Sequence, residues 1–198
     1  MKNNEKNRIL NIGVDAQFDF VCGALGSERA IKAMEKARKV LPYMKDYNHI
    51  LTFDTHYENY MNTREGGMLP VEHTIKNTVG WDLTPMIKEF YDNEENINGK
   101  VEKLEKCTFG AYNIADVINK LYPNEKPERI VMWGLDTDIC VISNFAIVRA
   151  FFPEIDIIIL EDACAGVTKE SHNAAITTLK SMQAIIMTVE EYIQKYCN

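Results

Sequence analysis

Three residues suited to acyl transfer, Asp15, Lys106 and Cys140, each stand just past a short apolar segment of the 198-residue chain. A cysteine attacks as its thiolate, a nearby ammonium favours that form, and a carboxyl group within reach can take up and return the proton. Cys140 ends the stretch Gly134-Leu-Asp-Thr-Asp-Ile-Cys140. If Asp136 or Thr137 caps the helix that follows, the sulfur falls in its first turn, where the partial positive charge of the helix end favours a thiolate. Singly, each residue has a plainer reading: a buried helix cysteine, a turn or capping aspartate, a solvated lysine. Asp19, four residues after Asp15, could take the capping role instead. An acid, an ammonium and a thiol at three neighbouring strand ends carry more weight than any one of them.

A second constellation is metal-like. Asp54 and His56 are two apart, so on an extended strand both side chains point to the same side and can bind one ion. Glu65 and His73 follow in the next segment, and adding them gives a carboxylate and imidazole set suited to Zn²⁺, with Mn²⁺ or Fe²⁺ also tolerable. No rule of spacing forces those two in. His49 and His172 read as surface or packing residues.

Such residues need a frame that gathers them. Short apolar runs rich in β-branched residues at Ile9–Val14, His49–Phe53, Ile130–Trp133, Ile155–Leu160 and Ala184–Val189 predict strands, with Val101–Leu104 a weaker sixth. Helical patterns lie between them. Ala30, Met34, Ala37 and Leu41 share a face, as do Leu83, Met86, Ile87 and Phe90, and Ala111, Ile114, Ala115 and Ile118; Ile139–Phe152 and Lys169–Met182 continue the alternation. Near-continuous apolar strands separated by amphipathic helices imply an α/β chain with a parallel sheet covered on both faces, a doubly wound three-layer α/β/α domain. Ligands of such sheets bind beyond the carboxyl ends of the strands. Those ends carry Asp15, Asp54 and His56, Lys106, the Gly134–Cys140 stretch and Glu161-Asp162. The helix-poor stretch Tyr57–Gly80 is long for a loop in a compact domain and reads as part of the site.

Composition narrows the partners. The length suits one domain, expected over residues 1–198, and 46% hydrophobic with 26% charged residues excludes disordered and collagen-like chains. The 22 Lys+Arg against 29 Asp+Glu give −7, which argues against nucleic acid and favours a small-molecule substrate. Cys22, Cys107, Cys140, Cys164 and Cys197 form no C-x-x-C pair, so reduced thiols are expected. The start MKNNEKNRIL has no long apolar stretch, and no run approaches the ~18 apolar residues of a membrane span. No membrane partner and a cytoplasmic location follow as expectations.

Four stretches, Val14-Asp15-Ala-Gln-Phe-Asp-Phe20, Asp54-Thr-His56 with a downstream Leu-Pro and His73, Lys106-Cys-Thr-Phe109, and Gly134-Leu-Asp-Thr-Asp-Ile-Cys140-Val, resemble the cysteine hydrolase superfamily of isochorismatases and nicotinamidases. They occur in that family's order over nearly the whole chain. The resemblance implies a six-stranded parallel sheet of order 3-2-1-4-5-6 and a triad of Asp15, Lys106 and Cys140. It further implies a nicotinamidase-type metal site at Asp54, His56, Glu65 and His73, ring contacts from Phe20 and Tyr112, and a homo-oligomer. The oxyanion would be held by the backbone N–H groups of Asp136 and Cys140, next to a cis peptide between Leu135 and Asp136. The family often has a small residue where this chain has Asp136, and an inward carboxylate there would disfavour both thiolate and oxyanion, so the side chain is expected to point away. The implied activity is hydrolysis of nicotinamide to nicotinate and ammonia; the alternative is a related hydrolase acting on another small amide or an isochorismate-like vinyl ether. A nucleotide-binding module fits poorly, because no glycine-rich turn follows the first strand.

Overall fold

The computed structural model describes residues 8–197. The expectation that no leader precedes the fold rests on the first residues, which lie outside those described. Six strands, β1 (Ile9–Val14), β2 (Asn48–Asp54), β3 (Val101–Lys106), β4 (Arg129–Leu135), β5 (Asp156–Ala165) and β6 (Ile185–Met187), form one sheet of order 3-2-1-4-5-6. Every pairing is parallel. The order reverses between β1 and β4, which opens a crevice beyond their carboxyl ends. The sheet is flanked by α1 (Phe18–Val21), α2 (Glu28–Val40), α3 (Arg64–Met68), α4 (Pro85–Tyr91), α5 (Ile114–Leu121), α6 (Ile142–Phe151), α7 (Lys169–Ser181) and α8 (Val189–Tyr196). No helix among the described residues is long and apolar enough to cross a membrane.

The strands' character follows from their place. β1, β2 and β4 are buried almost throughout because helices cover both their faces. β3 is an edge strand whose sequence VEKLEK alternates, and that is why its apolar signal is weak. Its pleat nonetheless sends Leu104 and Lys106 inward together. Asn11 of β1 is buried but satisfied: its amide reaches His49 Nδ1 at 3.0 Å, and its oxygen accepts Trp133 Nε1–H at 2.8 Å. His49 is therefore a packing residue, held low at about 4 by burial.

Some boundaries move. α2 stops at Val40, so Leu41 opens a short 3₁₀ turn with Pro42 instead of closing the helix. α5 starts at Ile114 and α6 at Ile142, each later than the apolar pattern suggests. β5 runs on to Ala165 through an irregularity opposite Met132–Gly134, which corrects the placing of Glu161-Asp162 at a strand end facing the crevice. Asp162 instead accepts the Val189 N–H at the start of α8 and pairs with Lys36. The strand predicted over Ala184–Val189 keeps only Ile185–Met187, because Thr188 and Glu191 form a capping box that starts α8. Inside Tyr57–Gly80, a 3₁₀ turn (Tyr60–Asn62) and α3 replace a plain loop.

Candidate active site

Parallel register brings the three reactive residues together. Val14 pairs with both Thr52 and Gly134, and Asp54 pairs with Lys106. Asp15 then turns sharply in a left-handed conformation, φ 47°, with its N–H donating to the Thr52 carbonyl at 3.2 Å. The Thr52 hydroxyl donates to Asp15 Oδ1 at 2.7 Å. Lys106 Nζ lies 2.7 Å from Asp15 Oδ2 and 3.6 Å from Cys140 Sγ. The Asp15–Lys106 contact is a buried ion pair, and Oδ2 retains acceptor capacity whose nearest use is the thiol proton.

The electrostatics differ from the sequence expectation in one respect. Burial is the leading influence on Cys140, and with Asp15 and Asp54 it pushes the thiol well above its usual range, against Lys106. That balance favours the protonated thiol over a free thiolate in the resting site. The turn before it is also wide: Thr137–Val141 forms a π-type turn and α6 begins only at Ile142, with no side-chain cap from Asp136. Asp15 itself is raised, burial outweighing the pull of Lys106. A raised carboxyl is a stronger base when ionised, which narrows the gap for proton transfer from sulfur.

Beside this triad, Asp54, His56, Glu65 and His73 offer ligand atoms that all lie within 4.8 Å of one another. Thr63 caps α3 and so sets Glu65 in its first turn. His73 Nδ1–H donates to the Val71 carbonyl at 2.8 Å, which leaves Nε2 facing the carboxylates, 3.6 Å from Asp54 Oδ2 and 3.8 Å from Glu65 Oε1. His56 Nε2 sits 3.0 Å from Asp54 Oδ2 yet off the line of a hydrogen bond, a buried nitrogen without a hydrogen-bond partner. Burial opposes charge on His56, but the adjacent Asp54 and Glu65 push it up to about 9. Burial would raise Asp54, yet His56, His73 and Lys106 hold it well below the usual carboxylate range. The pocket thus calls for positive charge at its centre. Two imidazoles and two carboxylates, one nitrogen orphaned and the other oriented by a backbone carbonyl, fit a divalent metal such as Zn²⁺.

A cleft of about 1110 Å³ opens onto both groups. Phe20 lines it and packs edge-on against His73, ring centroids 5.5 Å apart. Tyr112 does not: it is 82% exposed and outside the cleft lining. Its neighbour Ala111 is buried and tied through its N–H to Asn144 Oδ1, which turns the next side chain outward. Asp136 is among the residues that line the cleft. It follows β4 directly, and its carbonyl accepts the Ile139 and Val141 N–H groups of the turn, while its side chain makes no capping hydrogen bond. The Leu135–Asp136 peptide is cis, as the resemblance implied. Among the described residues, none of the five cysteines is in a disulfide.

Several supporting residues escaped the sequence reading. Gln17 is buried and clamps the end of β2, taking the Asp54 N–H on Oε1 at 2.8 Å and giving its Nε2–H to the Asp54 carbonyl at 2.8 Å. Asp19, instead of capping, bridges segments: Oδ2 accepts the Thr74 N–H at 2.8 Å and Oδ1 the Ala24 N–H at 3.3 Å. Tyr60 packs on both imidazoles, 4.6 Å from His56 and 5.1 Å from His73 by ring centroids. The only hint was the alternation of Asp15, Gln17 and Asp19 just past a strand.

Comparison with known proteins agrees with this fold. A nicotinamidase from Bacillus subtilis superposes with a TM-score of 0.77 at 23% identity, over 90% of this chain and 98% of the other. A pyrazinamidase/nicotinamidase from Streptococcus mutans gives 0.76 at 26%, over 90% and 99%. A pyrazinamidase from Pyrococcus horikoshii, solved in complex with zinc, gives 0.70 at 22%, over 91% and 99%. No curated protein matches in sequence. The family model for the isochorismatase domain matches residues 10–191, and the chain belongs to the isochorismatase family of hydrolases.

Proposed function

We propose that the protein is a metal-dependent cysteine amidohydrolase whose substrate is a small heteroaromatic carboxamide, nicotinamide first among them, cleaved to the acid and ammonia. The observation that carries this reading is the placement of Lys106 Nζ, 2.7 Å from Asp15 Oδ2 and 3.6 Å from Cys140 Sγ, at a cleft shared with the Asp54–His73 cluster.

The chemistry follows from those contacts. As Cys140 Sγ bonds to the amide carbon, its proton passes to Asp15, and the carbonyl oxygen takes up negative charge before the backbone N–H groups of Asp136 and Cys140. Asp15 then protonates the departing nitrogen, the C–N bond breaks, and ammonia leaves a thioester on Cys140. Water replaces ammonia, Asp15 takes its proton, and hydroxide adds to the thioester carbon. The C–S bond breaks, and the sulfur recovers a proton from Asp15 as the acid departs. Lys106 stays charged throughout and balances whichever of Asp15 and Cys140 is anionic. Asp54, His56, Glu65 and His73 would hold a divalent cation, which supplies a Lewis-acid anchor for a ring nitrogen. Phe20, packed on His73, borders the place of the ring.

The zinc-bound pyrazinamidase and the nicotinamidase-like relatives support this reading. The test is ammonia release from nicotinamide, pyrazinamide and unrelated amides, with and without chelator, in wild type and Cys140→Ala. Turnover that needs both the sulfur and the metal is expected. Full rate in Cys140→Ala would refute the mechanism, and turnover of other amides with nicotinamide untouched would refute the substrate.

A further inference from the structure

We infer that Asp136 is a specificity-determining residue that selects amides carrying an N–H or O–H donor on the acyl side, next to the scissile carbonyl. This rests on the amidohydrolase reading above. Asp136 stands four residues before the nucleophile, lines the same cleft, and receives no hydrogen bond on its side chain among the described residues. Its neighbours give it little relief. Asp138 spends Oδ1 on the Val167 N–H, and Asp15 is occupied with Lys106 and Thr52. Among the described residues, the cation whose charge acts on it is Arg29, itself an exposed cleft-lining residue that donates to the Val167 carbonyl.

A carboxylate in this position works against a plain substrate. It adds negative charge beside a sulfur and an oxyanion that both become anionic, so its presence favours catalysis only when the substrate brings a compensating donor. Burial first, then Asp138 and Asp15, push Asp136 up to about 7, with Arg29 acting the other way. The group therefore has something to gain from a donor. Position supports the same conclusion. The metal cluster lies on the β2 side of the crevice, whereas Asp136, Val167 and Arg29 gather on the β4–β5 side. On the amidohydrolase reading, a ring anchored toward β2 would leave the flank of its carboxamide toward the β4–β5 side of the cleft, where Asp136 lies. The cleft, about 1110 Å³, has room for a substituent there.

The discriminating substrates are nicotinamides bearing NH₂ at ring positions 2 or 4, the two that flank the carboxamide, each against its methyl isostere. A hydrogen bond to a charged group contributes about 1.5–3 kcal/mol, so wild type should favour at least one amino compound over its methyl partner by roughly ten- to hundredfold in kcat/KM. The ratio should fall toward one in Asp136→Ala and survive in part in Asp136→Asn, whose amide oxygen still accepts. Calorimetric binding of the same pairs to Cys140→Ala, with and without Asp136→Ala, reads the preference without turnover. A chain that hydrolyses none of the amides but binds the amino compounds better through Asp136 would refute the amidase reading and keep this inference. A ratio near one in wild type, or one untouched by Asp136→Ala, would overturn the inference while leaving the amidase reading intact.

Discussion

Asp19 belongs to neither reactive group, yet its removal should cost the protein its metal. The residue after His73, one of the proposed metal ligands, is Thr74, fully buried and in a left-handed conformation, φ 45°, which costs a non-glycine residue roughly 1–2 kcal/mol. Three bonds hold it there: its N–H donates to Asp19 Oδ2 at 2.8 Å, its hydroxyl to Asp54 Oδ2 at 3.2 Å, and its carbonyl accepts the His56 N–H at 3.1 Å. Asp19→Ala leaves a buried N–H without an acceptor, a loss of about 1–3 kcal/mol. The strained turn then competes with relaxed ones in which His73 points elsewhere. Apparent affinity falls with the competent fraction, so zinc binding should weaken by roughly five- to a hundredfold. Asp19→Asn, which keeps an acceptor oxygen, should recover most of it. Gly80→Ala should imitate the loss, because a Cβ there would meet Asp19 Oδ2 at 2.0 Å. Competition against a chromophoric chelator measures the affinity, with circular dichroism to establish that each variant is folded. A folded Asp19→Ala protein that binds zinc as tightly as wild type would refute the reasoning.

Lys106→Met removes the cation shared by Asp15, Asp54 and Cys140 and strands buried carboxylates, so denaturant unfolding should show a loss of about 3–5 kcal/mol with activity abolished; a loss below 1 kcal/mol would mean the cluster carries no net charge. Alkylation by iodoacetamide should separate the cysteines, since exposed Cys107 reacts at neutral pH while Cys140, raised by burial and by Asp15, stays slow until well above the ordinary thiol pKa of about 8.5. Mass spectrometry of labelled peptides checks the order, and rapid neutral labelling of Cys140 would contradict a resting thiol. The same raised pKa has a stability consequence: the contribution of Cys140 is fully present below about 8.5 and is lost as pH rises through its folded value, so wild type should lose stability at alkaline pH relative to Cys140→Ala. Asp54→Asn should lose zinc and, by withdrawing a carboxylate that raises Cys140, shift its alkylation to lower pH in chelator; an unchanged profile would show the two centres to be independent.

Much of the frame was legible because it depends on local pattern. Near-continuous apolar strands and intervening amphipathic faces specify a parallel sheet, and parallel sheets collect strand-end residues on one rim, so Asp15, Asp54, Lys106 and Cys140 could be named before any coordinate. What failed was whatever depends on a distant partner. The β5 irregularity that carries Glu161 and Asp162 away from the crevice is a property of its pairing with β4, and nothing in Ile155–Leu160 encodes it. The outward turn of Tyr112 is set by Asn144, 33 residues from the Ala111 that it tethers.

The supporting residues were illegible for a related reason, and they show why the two reactive groups form one unit. Gln17 contributes no chemistry of its own; its amide closes on the backbone of Asp54 as another strand would, fixing the residue whose carboxylate serves both centres. Asp54 Oδ1 lies 3.4 Å from Lys106 Nζ, while Oδ2 lies 3.0 Å from His56 Nε2. A cation bound among the imidazoles therefore draws on the same carboxylate that shares Lys106 with Asp15 and Cys140. The less of that carboxylate's charge remains for Lys106, the more the ammonium is free to balance the sulfur as it becomes anionic. On the proposed reading, metal binding and nucleophile activation would be coupled through one side chain, held in place by residues whose value lies wholly in where they point.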